Sequence, residues 1–189
     1  MARHQPPEEP MPNFPIFSTA RRSGLAALAL CGVALAAPAR ADGLDTAGDV
    51  LKYALPGAAA VCAWQQDRLG SYATGFGIMA LTVEGLKYGL GDSRINERPN
   101  GESEGFPSGH TAAAASGAAD LSLHCAPGNR WVAAGTGAAV VLVGASRIDT
   151  DEHDLVQVLA GAAIGYFSTG FRLERTPAGG LGLSYSMNF

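Results

Sequence analysis

Residues 144–165 read GASRIDTDEHDLVQVLAGAAIG. A polar turn carries Arg147, then a single histidine, His153, sits among Asp149, Asp151, Glu152 and Asp154, and an almost wholly apolar run follows. The run shows no sustained alternation and is long for a strand, so it reads as a helix. On such a helix His153 and Gln157, four residues apart, share one face. Four similar apolar segments precede it, roughly residues 50–63, 69–90, 107–125 and 131–146, and the fifth spans roughly 154–171. Short polar turns separate them. The expectation is an all-α fold, a bundle of about five helices.

Composition supports close helix packing. The 189-residue chain suits one domain, with 47% hydrophobic but only 16% charged residues, against about 25% charged in a typical soluble domain. Twenty-five glycines and many alanines weaken isolated helices but let neighbouring helices approach. The net charge of −4 and the lack of a basic stripe argue against a nucleic-acid partner.

The N-terminal region carries Arg21-Arg22, an apolar run from Leu25 to Ala37, and Ala39-Arg40-Ala41. That order of basic, apolar and small residues is a secretory signal peptide, expected over residues 1–41 with cleavage after Ala41. Met11 is an alternative start. Cys62 and Cys125 remain in the mature chain, and the expectation is two separate buried thiols, with pairing as the alternative in an oxidising compartment. The uninterrupted apolar runs are about 14–17 residues, short of the ~20 of a bilayer span. A membrane-embedded bundle is favoured, with a soluble periplasmic one as the alternative. The helical domain is expected over 42–175, and residues 176–189 form a tail. Its alternation places Leu181, Leu183, Tyr185, Met187 and Phe189 on one face of a strand.

The chemistry-bearing residues collect at helix ends. Pro107-Ser108-Gly109-His110 opens segment three, with Ser108 as a natural N-cap. Free N–H groups at a helix start form an anion site, and a histidine in that turn can exchange a proton beside the anion. Arg147 ends segment four and offers a planar fork to phosphate oxygens. Lys87 lies near the end of segment two, with Glu84 three residues before it as its expected partner, and His153 opens segment five. In an up-and-down bundle, Lys87, His110, Arg147 and His153 therefore fall at one end. Asp120 and His124 read as structural. The acidic DTDEHD cluster lacks the glycine and spaced ligands of a calcium loop, so it reads as a solvated turn rather than a metal site. It is expected to raise the pKa of His153 and to favour an acidic working pH.

These motifs resemble the type 2 phosphatidic acid phosphatase family, which shares its fold with class A acid phosphatases and vanadium haloperoxidases. The family pattern is Lys-x6-Arg-Pro, Pro-Ser-Gly-His and Ser-Arg-x5-His-x3-Asp. Residues 107–110 match the second motif in full, and Ser146-Arg147 with five residues before His153 matches most of the third. Two departures stand out. Ten residues separate Lys87 from Arg98-Pro99, close to one added helical turn, while Arg94 has the six-residue spacing without the proline. Arg98 is favoured and Arg94 is the alternative. Gln157 stands where the family has aspartate, so it can accept the imidazole hydrogen bond but brings no charge. In the serine-protease triad, replacing the aspartate by an amide costs about four orders of magnitude in rate.

The resemblance implies a covalent, metal- and cofactor-free phosphatase. His153 attacks phosphorus, oriented by Gln157, and His110 protonates the leaving alcohol. Lys87, Arg98, Arg147 and the N–H groups around Ser108 and Gly109 hold the phosphate oxygens. The implied partner is a phosphorylated lipid or other phosphate ester at the cell envelope, with the site facing the periplasm or exterior. Oligomeric state is not indicated. The alternatives are a phosphate- or phospholipid-binding homologue whose turnover Gln157 has weakened, and a vanadate-dependent haloperoxidase.

Overall fold

The structure is a computed structural model describing residues 41–177 and 179–187. Residues 1–40 of the expected signal peptide lie outside the described residues, as does Phe189 of the tail. Five α-helices form the described body: α1 (Ala41–Gln65), α2 (Leu69–Leu90), α3 (Gly109–Asp120), α4 (Arg130–Asp149) and α5 (Leu155–Ser168). A π-turn, Leu121–Cys125, extends α3. The chain is mostly helical, as its unalternating apolar segments require.

The alanine-rich helix α3 is the centre of the bundle and packs against the other four. From Thr111 to Asp120 its side chains are almost all buried. Small side chains are what let four helices close around it. Gly117 shows how closely: a Cβ there would lie 2.4 Å from the Pro56 nitrogen of α1. Gly161 of α5 meets α3 in the same way, with the Ser108 carbonyl oxygen 2.3 Å from its Cβ position. Leu51, Leu55 and Ala59 of α1, Ala114 and Ala118 of α3, and Ala139 and Val143 of α4 form the main core. Met79 and Val83 of α2 pack on Ala112 in a second cluster. Side-chain caps start three helices: Ser108 for α3, Asn129 for α4 and Asp154 for α5. Each satisfies N–H groups that the first helical turn leaves open.

The end of the bundle away from Ser108 is pinned twice. Arg68 makes a two-pronged ion pair with Asp120, at 3.0 and 2.9 Å, and the Asp120 side chain is nearly inaccessible. Beside it Cys62 and Cys125 are joined in a disulfide. This corrects the expectation of separate thiols. The end of α1 and the π-turn of α3 bring the two Cα atoms to 6.2 Å, within disulfide reach. The tail is half of a hairpin rather than a lone strand. β1 (Phe171–Arg175) pairs antiparallel with β2 (Leu181–Tyr185), Phe171 opposite Tyr185. The expected face of Leu181, Leu183 and Tyr185 points outward.

Between the two ends, the outer helices carry no charge. The charge-free stretches are residues 53–65 of α1, 69–83 of α2, 131–146 of α4 and all of α5, a band roughly 20–24 Å tall. Val61, Leu81, Val141, Leu159 and Phe167 are exposed on it. Trp64 and Trp131 stand at one rim, Tyr53 and Tyr88 at the other, all four strongly exposed. By length and composition α4 is the one described helix able to cross a membrane.

Candidate active site

The charged rim holds the site. Ser108 caps α3, and Gly109 and His110 form its first turn. The Lys87 amine lies 3.8 Å from the Cβ position of Gly109. Arg147 is in the last turn of α4 and is buried. His153 lies in the turn between α4 and α5, and Gln157 in the first turn of α5. The Ser108 N–H donates to the Gln157 carbonyl at 2.9 Å, tying the starts of α3 and α5 together. Seven of the eight expected residues are thus at one end of the bundle.

The segment between α2 and α3 decides which arginine joins them. The extra residues before Arg98 do not form an added helical turn. α2 ends at Leu90, Gly91 turns at positive φ, and a short 3₁₀ turn follows at Arg94–Asn96. Asn96, almost wholly buried, pins this loop. Its Nδ2 donates to the Lys87 and Gly91 carbonyls at 2.9 and 2.8 Å, and its Oδ1 accepts from Phe106 N at 3.0 Å. Arg94 faces solvent, whereas Arg98 turns inward and its Nη1 donates to Glu152 at 2.6 Å and Glu102 at 3.0 Å. Its Nε is buried without a hydrogen-bond partner among the described residues.

Gln157 is fully buried and every polar group on its side chain is engaged. Its Oε1 accepts from Asp154 N at 3.2 Å and lies 3.1 Å from His153 Nδ1. Its Nε2 donates to the carbonyls of Ile95 (3.1 Å) and Glu97 (2.8 Å). An amide oxygen can only accept, so Nδ1 of neutral His153 carries the proton and the lone pair sits on Nε2. His153 is buried, and burial is the main cause that holds its pKa below the ordinary value. Hydrogen bonds to Gln157 and to the Gly105 backbone oppose this, and Arg98 and Lys87 push the same way as burial. The expectation that DTDEHD raises this pKa is corrected. Desolvation outweighs the neighbouring carboxylates.

A second cluster comes from α1 and was not read from the sequence. Asp45, Asp49 and Lys52, at i, i+4 and i+7, share a face of α1 directed at the site. Arg147 Nη2 pairs with Asp45, and its Nη1 is 3.7 Å from Asp49. The Lys52 ammonium lies 2.5 Å from His110 Nε2 and 3.0 Å from Asp49, which is itself 3.3 Å from His110 Nε2. His110 is pushed down to about 4, first by burial, then by the charges of Lys52 and Arg147. The i, i+4, i+7 spacing was visible, but nothing local says where a helix face points. Glu84 pairs with Lys87 at 3.8 Å, as the sequence suggested.

The site therefore gathers four cations, Lys52, Lys87, Arg98 and Arg147, each already paired with at least one carboxylate, and a buried imidazole whose Nε2 carries the lone pair in the neutral form. Such an arrangement can bind a phosphate and attack it. In comparison with known proteins, the family model of the PAP2 superfamily matches residues 68–177. No curated protein and no solved structure matches the chain.

Proposed function

The chain belongs to the PAP2 superfamily, phosphatases in general, and on that premise we propose that it hydrolyses a phosphate monoester or diphosphate of a membrane lipid through a phosphohistidine. The observation that carries this reading is the His153–Gln157 contact beside the buried, unpartnered Arg98 Nε. It presents a nucleophilic Nε2 next to a donor in want of an anionic oxygen.

His153 Nε2 attacks phosphorus, a P–N bond forms, and the P–O bond to the leaving group breaks. The imidazolium keeps its Nδ1 proton on Gln157 Oε1. Arg98, Arg147 and Lys87 neutralise the equatorial oxygens, assisted by the Gly109 and His110 N–H groups, which have no acceptor within their own helix. Ser108 acts from behind: its N–H is taken by Gln157 and its Oγ caps α3, so it fixes the cradle. His110 gives a proton to the departing oxygen and recovers it from the attacking water. Water then attacks the phosphohistidine and releases phosphate. Phosphoryl transfer depends chiefly on positioning and charge neutralisation, which these groups supply.

The charge-free band and its aromatic rims support a lipid substrate. Trp and Tyr collect at membrane interfaces, and a site at one rim meets a headgroup at that interface. The band is shorter than the ~30 Å hydrocarbon core of a bilayer; in this reading the bundle is embedded in the membrane, and the expected signal peptide is what favours a site rim facing the periplasm or exterior. A second reading, a phospholipid-binding homologue with little turnover, is favoured by Gln157 alone, because it brings no charge to the imidazolium.

The test is phosphate release from a panel of lipid phosphates in detergent micelles, with rapid alkaline quench in SDS to trap a ³²P-labelled, acid-labile, base-stable phosphoprotein. Wild type is expected to form it and His153→Ala to lose it together with turnover. Turnover that survives His153→Ala refutes the nucleophile, and lipid binding without turnover in wild type establishes the second reading.

A further inference from the structure

The region matched by the family model begins at residue 68, so α1, which ends at Gln65, lies outside it. Yet α1 is pressed onto the Ser146-Arg147 pair. Gly48 permits this: a Cβ there would lie 2.0 Å from Ser146 Oγ. The approach sets Asp45 and Asp49, on the same face of α1, against the guanidinium. Each of its three nitrogens then faces an oxygen of the protein. Nε donates to Ser146 Oγ at 3.2 Å, Nη2 pairs with Asp45, and Nη1 is 3.7 Å from Asp49. Arginine grips a phosphate with two parallel N–H donors, and the Nη1–Nη2 edge that would do so is already turned to carboxylates. The partners are not held equally. The Arg147 side chain is 7% exposed, whereas those of Asp45 and Asp49 are 42% and 48% exposed. A carboxylate that swings off Arg147 enters water and regains its hydration, while the guanidinium stays buried and is costly to leave unpaired. The exposed partner is therefore the one that moves. Asp49 is also tied to Lys52 at 3.0 Å, which leaves Asp45 the freer of the two.

We propose that Asp45, with Asp49 beside it, is an internal competitor for phosphate: it occupies Arg147 in the resting protein and swings into solvent when a phosphate takes its place. The inference rests on the phosphate site proposed above. The exchange swaps one anion on Arg147 for another, so the buried cation is paired before and after. Its consequence is that α1 weakens the grip on every phosphate the site receives. For the substrate this is a cost in affinity. For inorganic phosphate at the end of a turnover it is an aid, because the return of Asp45 to Arg147 displaces the product.

The experiment measures the Kd of inorganic phosphate for the full chain in detergent micelles, in wild type, Asp45→Asn, Asp45→Glu, Asp49→Asn and Arg147→Met. It needs no turnover. Arg147→Met should lose the binding, which assigns it to this site. Asp45→Asn keeps the shape and removes the competing charge, so its Kd is expected to fall by about tenfold, the value of one charge-assisted contact no longer opposed. Asp45→Glu keeps the charge and should bind like wild type, and Asp49→Asn should tighten binding in the same direction as Asp45→Asn. Thermal unfolding supplies a second readout. Asp45→Asn should have a lower Tm than wild type without phosphate, since Arg147 is left unpaired, and should gain more Tm from added phosphate, since a tighter ligand stabilises more. A Kd that is unchanged or raised in both Asp45→Asn and Asp49→Asn, while wild type binds, overturns the proposal: it would make the two carboxylates supports that aim Arg147 rather than competitors for it. Phosphate binding by neither wild type nor any variant counts against the phosphate site itself, and the proposal falls with it.

Discussion

Replacing Gln157 by the aspartate usual in the family is the most informative perturbation. On chemistry alone Gln157→Asp restores a charge opposite the His153 imidazolium and should accelerate attack. The packing says otherwise. Gln157 Nε2 donates to two buried carbonyls, Ile95 at 3.1 Å and Glu97 at 2.8 Å. Aspartate is one methylene shorter, has no donors, and turns a carboxylate towards both. Each buried carbonyl stranded this way costs about 1–3 kcal/mol, so the pair costs about 2–6 kcal/mol. That is a large share of a stability of about 5–15 kcal/mol. For a domain of this size each kcal/mol lowers Tm by about 2–4 °C, so a fall of roughly 5–20 °C is expected. The same two bonds hold the loop bearing Arg98, so Arg98 loosens with them. Turnover per folded molecule is therefore expected to rise less than about tenfold, far below the four orders of magnitude that an aspartate–amide exchange commands in a serine-protease triad. Differential scanning fluorimetry and initial rates on a farnesyl phosphate measure both. Gln157→Glu separates the causes: it restores the reach but not the donors, so it should share the stability loss. Near-wild-type Tm in Gln157→Asp, with a rate gain of about 100-fold or more, would refute the reasoning.

Two further outcomes are expected. His110, held at about 4, and His153, also depressed, bind fewer protons folded than unfolded below the ordinary value of 6.5. Their contribution to stability is complete above pH 6.5 and is lost as pH falls towards about 4, the range in which the unfolded chain takes up the protons. Tm should decline across that window and decline less in His110→Asn; a flat or rising profile contradicts the assignment. At the other end of the bundle, Arg68→Met strands the buried Asp120 carboxylate and should cost about 3–5 kcal/mol, whereas Arg68→Met with Asp120→Leu should recover most of it. Urea unfolding of the two variants checks this, and equal losses would mean that the pair is not coupled.

Much of this molecule was legible in local patterns. Segment lengths announced five helices, and polar turns fixed where most of them end. An up-and-down order then required Lys87, His110, Arg147 and His153 to share one end, which is where they lie. Ser108 as a cap and the one-face relation of His153 and Gln157 follow from helical geometry and short-range hydrogen bonding, which depend on residues three or four apart. The loop from Gly91 to Phe106 was not legible in this way. Its course is set by Asn96 and Gln157, whose partners lie on other elements, so the spacing from Lys87 to Arg98 suggested a helical turn where a 3₁₀ turn occurs.

The sequence by itself determined the helical bundle, the Pro-Ser-Gly-His and Ser-Arg-x5-His motifs and the family, because periodicity and motif spacing are local properties of the chain. Only tertiary structure decided which face of α1 meets the site, that Lys52 lies against His110, that Cys62 meets Cys125, and that His153 is lowered rather than raised in pKa. Each depends on contacts between residues dozens of positions apart, or on burial, which is a property of the packed assembly. Charges adjacent in the chain, as in DTDEHD, act on a histidine only if the fold turns them towards it, and here the fold turns Gln157 towards it instead.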